Sequence, residues 1–311
     1  MDPYIEEHLK MLGIECVGKD LIPKFDELNT DIVKAALLGE KPETYSTDKT
    51  VVVRPPALCA GCPHRGLFYS LSKKKDLMIT GDIGCYTLGA SAPLNALHSC
   101  ICMGASLSQG HGASIVMRDA AKSTKVVSVL GDSTFFHTGI NSLMDAVYNG
   151  GQNTNIILDN RITGMTGQQE NPGSGRTLMG NPAPEANIPE ICKAVGVKEE
   201  NIWIVNPNKL GEVNAALDAA LAKDEVTVII TRWPCILKKL REEDNAEFPT
   251  VNKTQCVIDQ EKCKNCKVCV KTGCPALIST KDSVVIDTTA CNGCTVCMQA
   301  CPFDAISEVT I

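Results

Sequence analysis

Apolar positions along the chain fall into short β-branched runs separated by helical stripes. Lys125-Val126-Val127-Ser128-Val129-Leu130 and Thr154-Asn155-Ile156-Ile157-Leu158 are runs of the buried-strand kind, each opening into a polar loop. Between them Ile140, Leu143, Met144 and Val147 recur at helical spacing, so a helix is predicted over 139–148. Strand, helix and strand make a βαβ unit. Its right-handed crossover sets the strands parallel and brings both carboxyl ends to one edge. Further strands are predicted over 77–80, 202–205 and 226–230, and a helix over 210–221. The pattern predicts an α/β fold with a doubly wound, mostly parallel sheet over residues 51–250. Residues 1–50 read as a helical lead-in and linker. There Phe25, Leu28, Ile32, Val33, Ala36 and Leu37 share one stripe, suited to docking, and Lys41-Pro42-Glu43-Thr44 breaks the helix. Residues 251–311 form a small cysteine-rich third part.

Composition narrows the classes. Of 311 residues 44% are hydrophobic, an ordinary globular share. The net charge of −6 argues against a nucleic-acid or anionic-membrane partner. No run approaches the roughly 20 apolar residues that cross a bilayer. The acidic start, Met1-Asp2-Pro3-Tyr4-Ile5-Glu6-Glu7, is unlike a secretory signal. In such a chain 17 cysteines point to metal ligands rather than disulfides, in a reducing, anaerobic cytoplasm.

The two strand ends carry the first candidate chemistry, Gly131-Asp132-Ser133 and Asp159-Asn160-Arg161-Ile162-Thr163. A carboxylate and an amide carbonyl are hard ligands for a Mg²⁺ that also holds phosphate oxygens. The N-terminus of the intervening helix favours an anion at the same place. The spacing resembles the thiamine-diphosphate motif. That resemblance implies that Asp132, Asn160 and the carbonyl of Ile162 hold Mg²⁺ against the diphosphate, with Gly131, Ser133 and Thr163 beside them. Ser133 stands where Gly or Ala is usual, and Asp159 where the first of two Asn is usual. A Rossmann-like unit with ordinary polar strand ends is the alternative reading. Gly84, Cys85 and Thr166, from Gly81-Asp82-Ile83-Gly84-Cys85-Tyr86 and the glycine-rich loop 164–169, are further candidate cofactor contacts. That loop and 171–175 could close over a substrate. His64 and His111 are candidate proton donors or phosphate contacts, or structural hydrogen-bonders.

Cys59-Ala60-Gly61-Cys62 precedes a helix predicted from Leu67, a place where thiol pKa values fall and where metal or redox chemistry is possible. The charged stretch 238–247 reads as a solvated helix and linker. The tail is the most specific part. Cys263-x2-Cys266-x2-Cys269-x4-Cys274-Pro275 is followed by Cys291-x2-Cys294-x2-Cys297-x3-Cys301-Pro302. Soft thiolates at this spacing wrap four-iron cubanes, the fourth of each run serving the other cluster. One 4Fe–4S cluster is assigned Cys263, Cys266, Cys269 and Cys301, the other Cys291, Cys294, Cys297 and Cys274. The first run has one residue more than the bacterial two-cluster ferredoxin pattern, and zinc is the other use of such thiolates.

Cys-Ala-Gly-Cys-Pro-His-Arg-Gly, Gly-Asp-Ile-Gly-Cys-Tyr, Gly-Asp-Ser-Thr-Phe-Phe-His-Thr-Gly-Ile and Asp-Asn-Arg-Ile-Thr-Gly-Met-Thr-Gly-Gln-Gln, with the cysteine runs, resemble the alpha subunits of indolepyruvate:ferredoxin oxidoreductases. The likeness runs from about Val51 to the end of the chain. It implies oxidative decarboxylation of arylpyruvates to arylacetyl-CoA, with an external ferredoxin reduced. Thiamine diphosphate carries that chemistry, and clusters withdraw its electrons singly. The family's pyrimidine-binding module, which supplies an activating Glu, has no counterpart in residues 1–50. The resemblance therefore implies a beta subunit and a further chain or segment carrying that module. In related pyruvate:ferredoxin oxidoreductases similar cysteine elements hold a cluster near thiamine, which makes Cys59, Cys62, Cys85 and Cys235 a candidate third cluster or, alternatively, packing thiols. Oxidation of another 2-oxo acid, or an electron-transfer subunit without thiamine chemistry of its own, are the competing functions.

Overall fold

The computed structural model describes residues 3–25, 27–40, 47–50 and 55–310. By its contacts the chain divides into two units, Met1–Pro55 and Pro56–Ile311. In the first, helix α1 spans Tyr4–Met11 and α2 spans Thr30–Leu38. The Asn29 side chain caps α2 by accepting from the Ile32 N–H at 3.0 Å, and Gly39 ends it in the left-handed conformation (φ 69°). The helix is therefore shorter than the stripe predicts. Phe25 and Leu28 precede it, because the Asn29 cap fixes a later start. The expected break at 41–44 lies outside the described residues.

The second unit is built on a six-stranded sheet. Its strands are β1 (Leu77–Gly81), β2 (Ser99–Cys100), β3 (Lys125–Gly131), β4 (Thr154–Asp159), β5 (Ile202–Val205) and β6 (Thr227–Arg232), in the order β2-β1-β3-β4-β6-β5. Every pairing is parallel. Helices α3 (His64–Leu71), α4 (Ala105–Asp119), α5 (Asp132–Thr134), α6 (Ile140–Tyr148), α7 (Ile188–Ala194) and α8 (Leu210–Leu221) connect and cover it. The strands alternate between faces. Val127, Val129, Ile156, Leu158 and Ile229 join one core with Leu67, Phe68 and Leu217 from α3 and α8. Leu130, Ile157, Val228 and Ile230 join the other with Leu107, Leu143 and Cys192 from α4, α6 and α7. That is the doubly wound arrangement the sequence predicts. The chain moves outward from β1 to β2, then returns to the far side of β1 to form β3. The β1/β3 boundary is thus the point where open α/β sheets bind ligands.

Three local details depart from expectation. The crossover helix starts at Asp132 itself and passes through a π-helical turn, Phe135–Gly139, before α6. Met144 faces outward at 50% exposure, while Leu143 and Ala146 carry the buried face. The stretch 238–247 is not wholly solvated. Helix α9 (Glu242–Glu247) is preceded by a buried Lys238 that pairs with Asp244, and Phe248 stacks edge-on against Trp233 with ring centroids 5.4 Å apart. Among the described residues no helix is long and apolar enough to cross a membrane.

The tail adds two antiparallel pairs, β7 (Thr254–Ile258) with β10 (Ile306–Thr310), and β8 (Leu277–Ser279) with β9 (Val284–Ile286), plus the short helix α10 (Val296–Gln299). Its core is small and rich in sulfur: Cys256, Cys269, Leu277, Val284, Cys297 and Ile306. The tail is fastened to the sheet region. The Gln299 side chain accepts from the Leu210 N–H at 2.9 Å and donates to the Asn208 carbonyl at 2.7 Å. Asn292 donates to the Ala60 carbonyl at 3.2 Å.

Candidate functional site

A cleft opens where the carboxyl ends of β1, β3 and β4 meet. His64, Gly84, Cys85, Gly131, Asp132, Ser133, Asn160, Ile162, Thr163 and Thr166 all line it, together with Tyr86, Met103 and Gly164. The structure thus gathers these candidate contacts around one opening. His111 is not among these lining residues. Its Nδ1 lies beside Gly151 and Asn153, next to the start of β4, at the opposite edge of the sheet.

The floor is built from the two strand ends. Asp132 is 3% exposed. Its Oδ1 accepts from the Ser133 N–H at 2.7 Å, and its Oδ2 from the Asn171 amide at 3.1 Å. Burial first, and then the Asp159 carboxylate, push its pKa well above the usual carboxylate range. After β4 the chain turns through Arg161, held in the left-handed conformation (φ 63°) that a side chain of this kind rarely adopts. Asp159 stabilises that turn by accepting from the Arg161 N–H at 3.2 Å, and is itself held by Arg232 at 2.9 Å. Arg161 pairs with Glu185 at 2.8 Å. The turn carries the Ile162 carbonyl back over Asn160. The Asn160 side-chain oxygen, as placed, lies 3.3 Å from Asp132 Oδ1 and 2.5 Å from the Ile162 carbonyl oxygen. Turned over, the amide nitrogen would donate to both. With the oxygen inward and Asp132 ionised, three oxygens would converge on one point, a donor set suited to Mg²⁺. These residues fit the cation the motif implies.

The opposite wall is fixed by Asp82, which is fully buried. Tyr86 donates to its Oδ1, while the Gly104 N–H at 2.8 Å and Ser106 at 3.0 Å donate to its Oδ2. The loop carrying Gly84 and Cys85 is thereby tied to the start of α4. His64 packs edge-on to Tyr86, and burial pulls its pKa down to about 4. Burial thus favours the neutral imidazole. The loop after Thr163 folds back on itself, the Thr163 N–H donating to the Gln169 carbonyl at 2.9 Å.

The cysteines fall into groups. Cys263, Cys266, Cys269 and Cys301 line one small cavity in the tail. Cys256 sits between Cys291 and Cys297, its N–H donating to Cys291 Sγ at 3.3 Å, and Cys294 lies beside Cys274. Beside the cleft, Cys59 and Cys235 lie near both Cys62 and Cys85. A β-carbon built on Gly164 would lie 3.8 Å from Cys85 Sγ and 3.9 Å from Cys235 Sγ. The Cys235 N–H donates to the Asn160 carbonyl at 2.9 Å, so this group adjoins the oxygen trio. The expectation of low-pKa thiols fails for Cys62. The helix starts at His64, but burial dominates and pushes the thiol up to about 12. Among the described residues no three His, Cys, Asp or Glu side chains close around a single metal ion; the thiolates of a four-iron cubane stand further apart than those of one zinc ion. Asn171, Arg232, Glu185 and Asp82 were not singled out from the sequence. Asp82 lies within the Gly81-Asp82-Ile83-Gly84-Cys85-Tyr86 run and Asn171 opens the 171–175 loop, but the sequence assigns neither a role.

Comparison with known proteins gives these features relatives. The family described as thiamine pyrophosphate enzyme, C-terminal TPP binding domain, matches residues 82–231, and a 4Fe-4S binding domain matches 284–307. The indolepyruvate oxidoreductase subunit IorA of Pyrococcus abyssi is 35% identical over 343 aligned positions, which span 99% of this chain and 52% of that protein. The IorA of Methanothermobacter thermautotrophicus is 37% identical over 327 positions, 98% of this chain and 50% of that one. The chain thus spans about half the length of the curated relatives it matches. Among solved structures, a 2-oxoglutarate:ferredoxin oxidoreductase from Magnetococcus marinus superposes with a TM-score of 0.52 at 17% identity, covering 62% of this chain and 70% of that one. That likeness is one of fold.

Proposed function

We propose that this chain, a homologue of the IorA subunits over nearly its whole length, is the thiamine-diphosphate and iron–sulfur part of a 2-oxo acid:ferredoxin oxidoreductase that acts on arylpyruvates such as indolepyruvate. One observation carries the reading. The oxygen trio of Asp132, Asn160 and Ile162 sits directly against a group of four cysteines, with Cys235 hydrogen-bonded to Asn160 itself. Asp132, Asn160 and the Ile162 carbonyl would hold Mg²⁺. Ser133 and the first turn of the crossover helix would face the diphosphate, whose charge the free N–H groups there favour. Gly84, Cys85, Thr163 and Thr166 form the walls. Bound thiamine diphosphate supplies the nucleophilic carbon and electron-sink chemistry of 2-oxo acid decarboxylation.

The chain's own residues hold this site and lead electrons away from it. Asn171 and Ser133 fix the Asp132 carboxylate, and Asp159 with Arg232 fixes the turn that presents Ile162. Cys59, Cys62, Cys85 and Cys235 would hold a third 4Fe–4S cluster beside the cleft. Cys274, Cys291, Cys294 and Cys297 would hold the next, and Cys263, Cys266, Cys269 and Cys301 the outermost, which would pass electrons to an external ferredoxin. A pyrimidine-binding module with its activating Glu, a beta subunit and coenzyme A complete the reaction.

The test is an anaerobic assay of 2-oxo acid-dependent dye reduction with indolepyruvate, phenylpyruvate and pyruvate. The purified chain is assayed alone and with its partner subunits. No turnover alone, and preference for the arylpyruvates with partners, is expected. Turnover by the chain alone would overturn the need for a second module. Preference for pyruvate would overturn the substrate assignment.

A further inference from the structure

Arg65 is among the largest fully buried side chains, with 1% of its surface exposed. Its guanidinium donates to the carbonyls of Leu58 at 2.7 Å, Cys59 at 2.7 Å and Thr272 at 2.9 Å. Its Nε finds no partner, and among the described residues no carboxylate pairs with it. A buried cation without an anion is costly, and carbonyl dipoles offset only part of that cost. It is wedged between two cysteine-bearing segments. On one side lies the Cys59-Ala60-Gly61-Cys62 loop. On the other lies Thr272-Gly273-Cys274, where a β-carbon on Gly273 would be 3.4 Å from the guanidinium. The two cysteine segments touch there. Gly61 (φ 71°) sits so close to Asn292, between Cys291 and Cys294, that a β-carbon would lie 2.8 Å from that side chain. The guanidinium therefore ties the first segment at the Cys59 carbonyl to the second at the Thr272 carbonyl, two residues before Cys274.

We propose that Arg65 is the shared countercharge of two iron–sulfur sites, the one at Cys59, Cys62, Cys85 and Cys235 and the one at Cys274, Cys291, Cys294 and Cys297. This rests on the cluster assignments proposed above. A cubane with four thiolate ligands is anionic in both oxidation states, so a fixed cation between two of them holds each more readily reduced. With both clusters bound, one electron would pass from the cleft-side cluster to the tail cluster. The first is oxidised, the second is reduced, and no proton moves, because a guanidinium does not titrate. Arg65 is a positioning residue for electron transfer, acting through the clusters rather than on substrate.

The test uses the full chain, cluster-loaded under anaerobic conditions, as wild type, Arg65→Gln and Arg65→Lys. Potentials are read by EPR-monitored titration, and denaturation midpoints are taken with and without clusters. Arg65→Gln is expected to move both adjacent clusters to more negative potentials, while Arg65→Lys stays near wild type. The outermost cluster should move least. Arg65→Gln should also lower the midpoint of the loaded chain and raise that of the stripped chain, since only the stripped chain leaves the cation uncompensated. Unmoved potentials, or equal movement in Gln and Lys, would overturn the proposal. If Arg65→Gln takes up no clusters, the stripped chain decides: a raised midpoint supports it, and an equal or lower one overturns it. An iron content of about eight rather than about twelve atoms per wild-type chain, at four per cubane, would sink the third-cluster assignment by itself. The shared role falls with it, even where the tail cluster alone still shifts.

Discussion

Replacing Asp132 with asparagine removes the charge that Mg²⁺ binding calls for and leaves the volume almost unchanged. The amide oxygen can still accept from the Ser133 N–H now at 2.7 Å, while the amide nitrogen meets the Asn171 donor now at 3.1 Å. A lost bond of this buried kind costs roughly 1–3 kcal/mol. Against that, the variant no longer buries a carboxylate whose charge both burial and Asp159 disfavour. The two effects oppose each other, so the cofactor-free chain should keep nearly its wild-type denaturation midpoint. Binding should not survive as well. Asp132 is the charged member of the oxygen trio, and removing one partner of a buried charged pair costs about 3–5 kcal/mol. At about 1.4 kcal/mol per factor of ten, Mg²⁺–thiamine diphosphate affinity should fall by roughly two to four orders of magnitude. Anaerobic isothermal titration calorimetry on iron-loaded wild type and Asp132→Asn measures this, with iron content confirming that the tail is intact. Binding by the variant within about threefold of wild type, under 1 kcal/mol, would refute the assignment of the trio.

Two further outcomes follow from the same geometry. Because the Asp132 pKa is raised, its proton must leave before Mg²⁺ enters, so Mg²⁺ affinity should climb with pH through the neutral range instead of levelling above pH ~5. A carboxyl whose folded pKa exceeds its unfolded value favours the folded chain at low pH and loses that advantage as pH rises through the raised value. The Mg²⁺-free chain should therefore lose stability over the window in which binding strengthens; matched calorimetry and denaturation series would show whether the two trends oppose. Gly110→Ala would place a methyl 1.9 Å from Ser128 Oγ and 3.0 Å from Thr80 Oγ1, both fully buried in the sheet. Overpacking of about 1–3 kcal/mol outweighs a helix-propensity gain of about 1 kcal/mol. The denaturation midpoint should drop, and lifting α4 should loosen the Gly104 and Ser106 bonds to Asp82 and weaken cofactor binding with it.

The sheet was legible because its central strands are continuous β-branched runs, and parallel pairing follows from the helices between them. The converging strand ends were legible too, since Asp132 and Asn160 each end such a run. What could not be read depended on tertiary contacts. The early helix start at Asp132 comes through a π-helical turn that no apolar period reports. Lys238 and Asp244 read as solvated charges, yet the fold buries them as a pair. The Cys59–Cys62 spacing suggests reactive thiols, but burial raises the Cys62 pKa instead. Arg65 gave no sign of its burial, because its partners are carbonyls, one of them 207 positions away.

If the cleft and the cysteine-bound clusters form one electron path, substrate added at one end reduces iron at the other. EPR of the chain complemented with its partners, frozen after anaerobic addition of indolepyruvate and coenzyme A, tests it most directly. A reduced-cluster signal should appear in the wild type and be missing in Asp132→Asn, while dithionite reduces the clusters of both. A signal of equal size in Asp132→Asn would contradict the account.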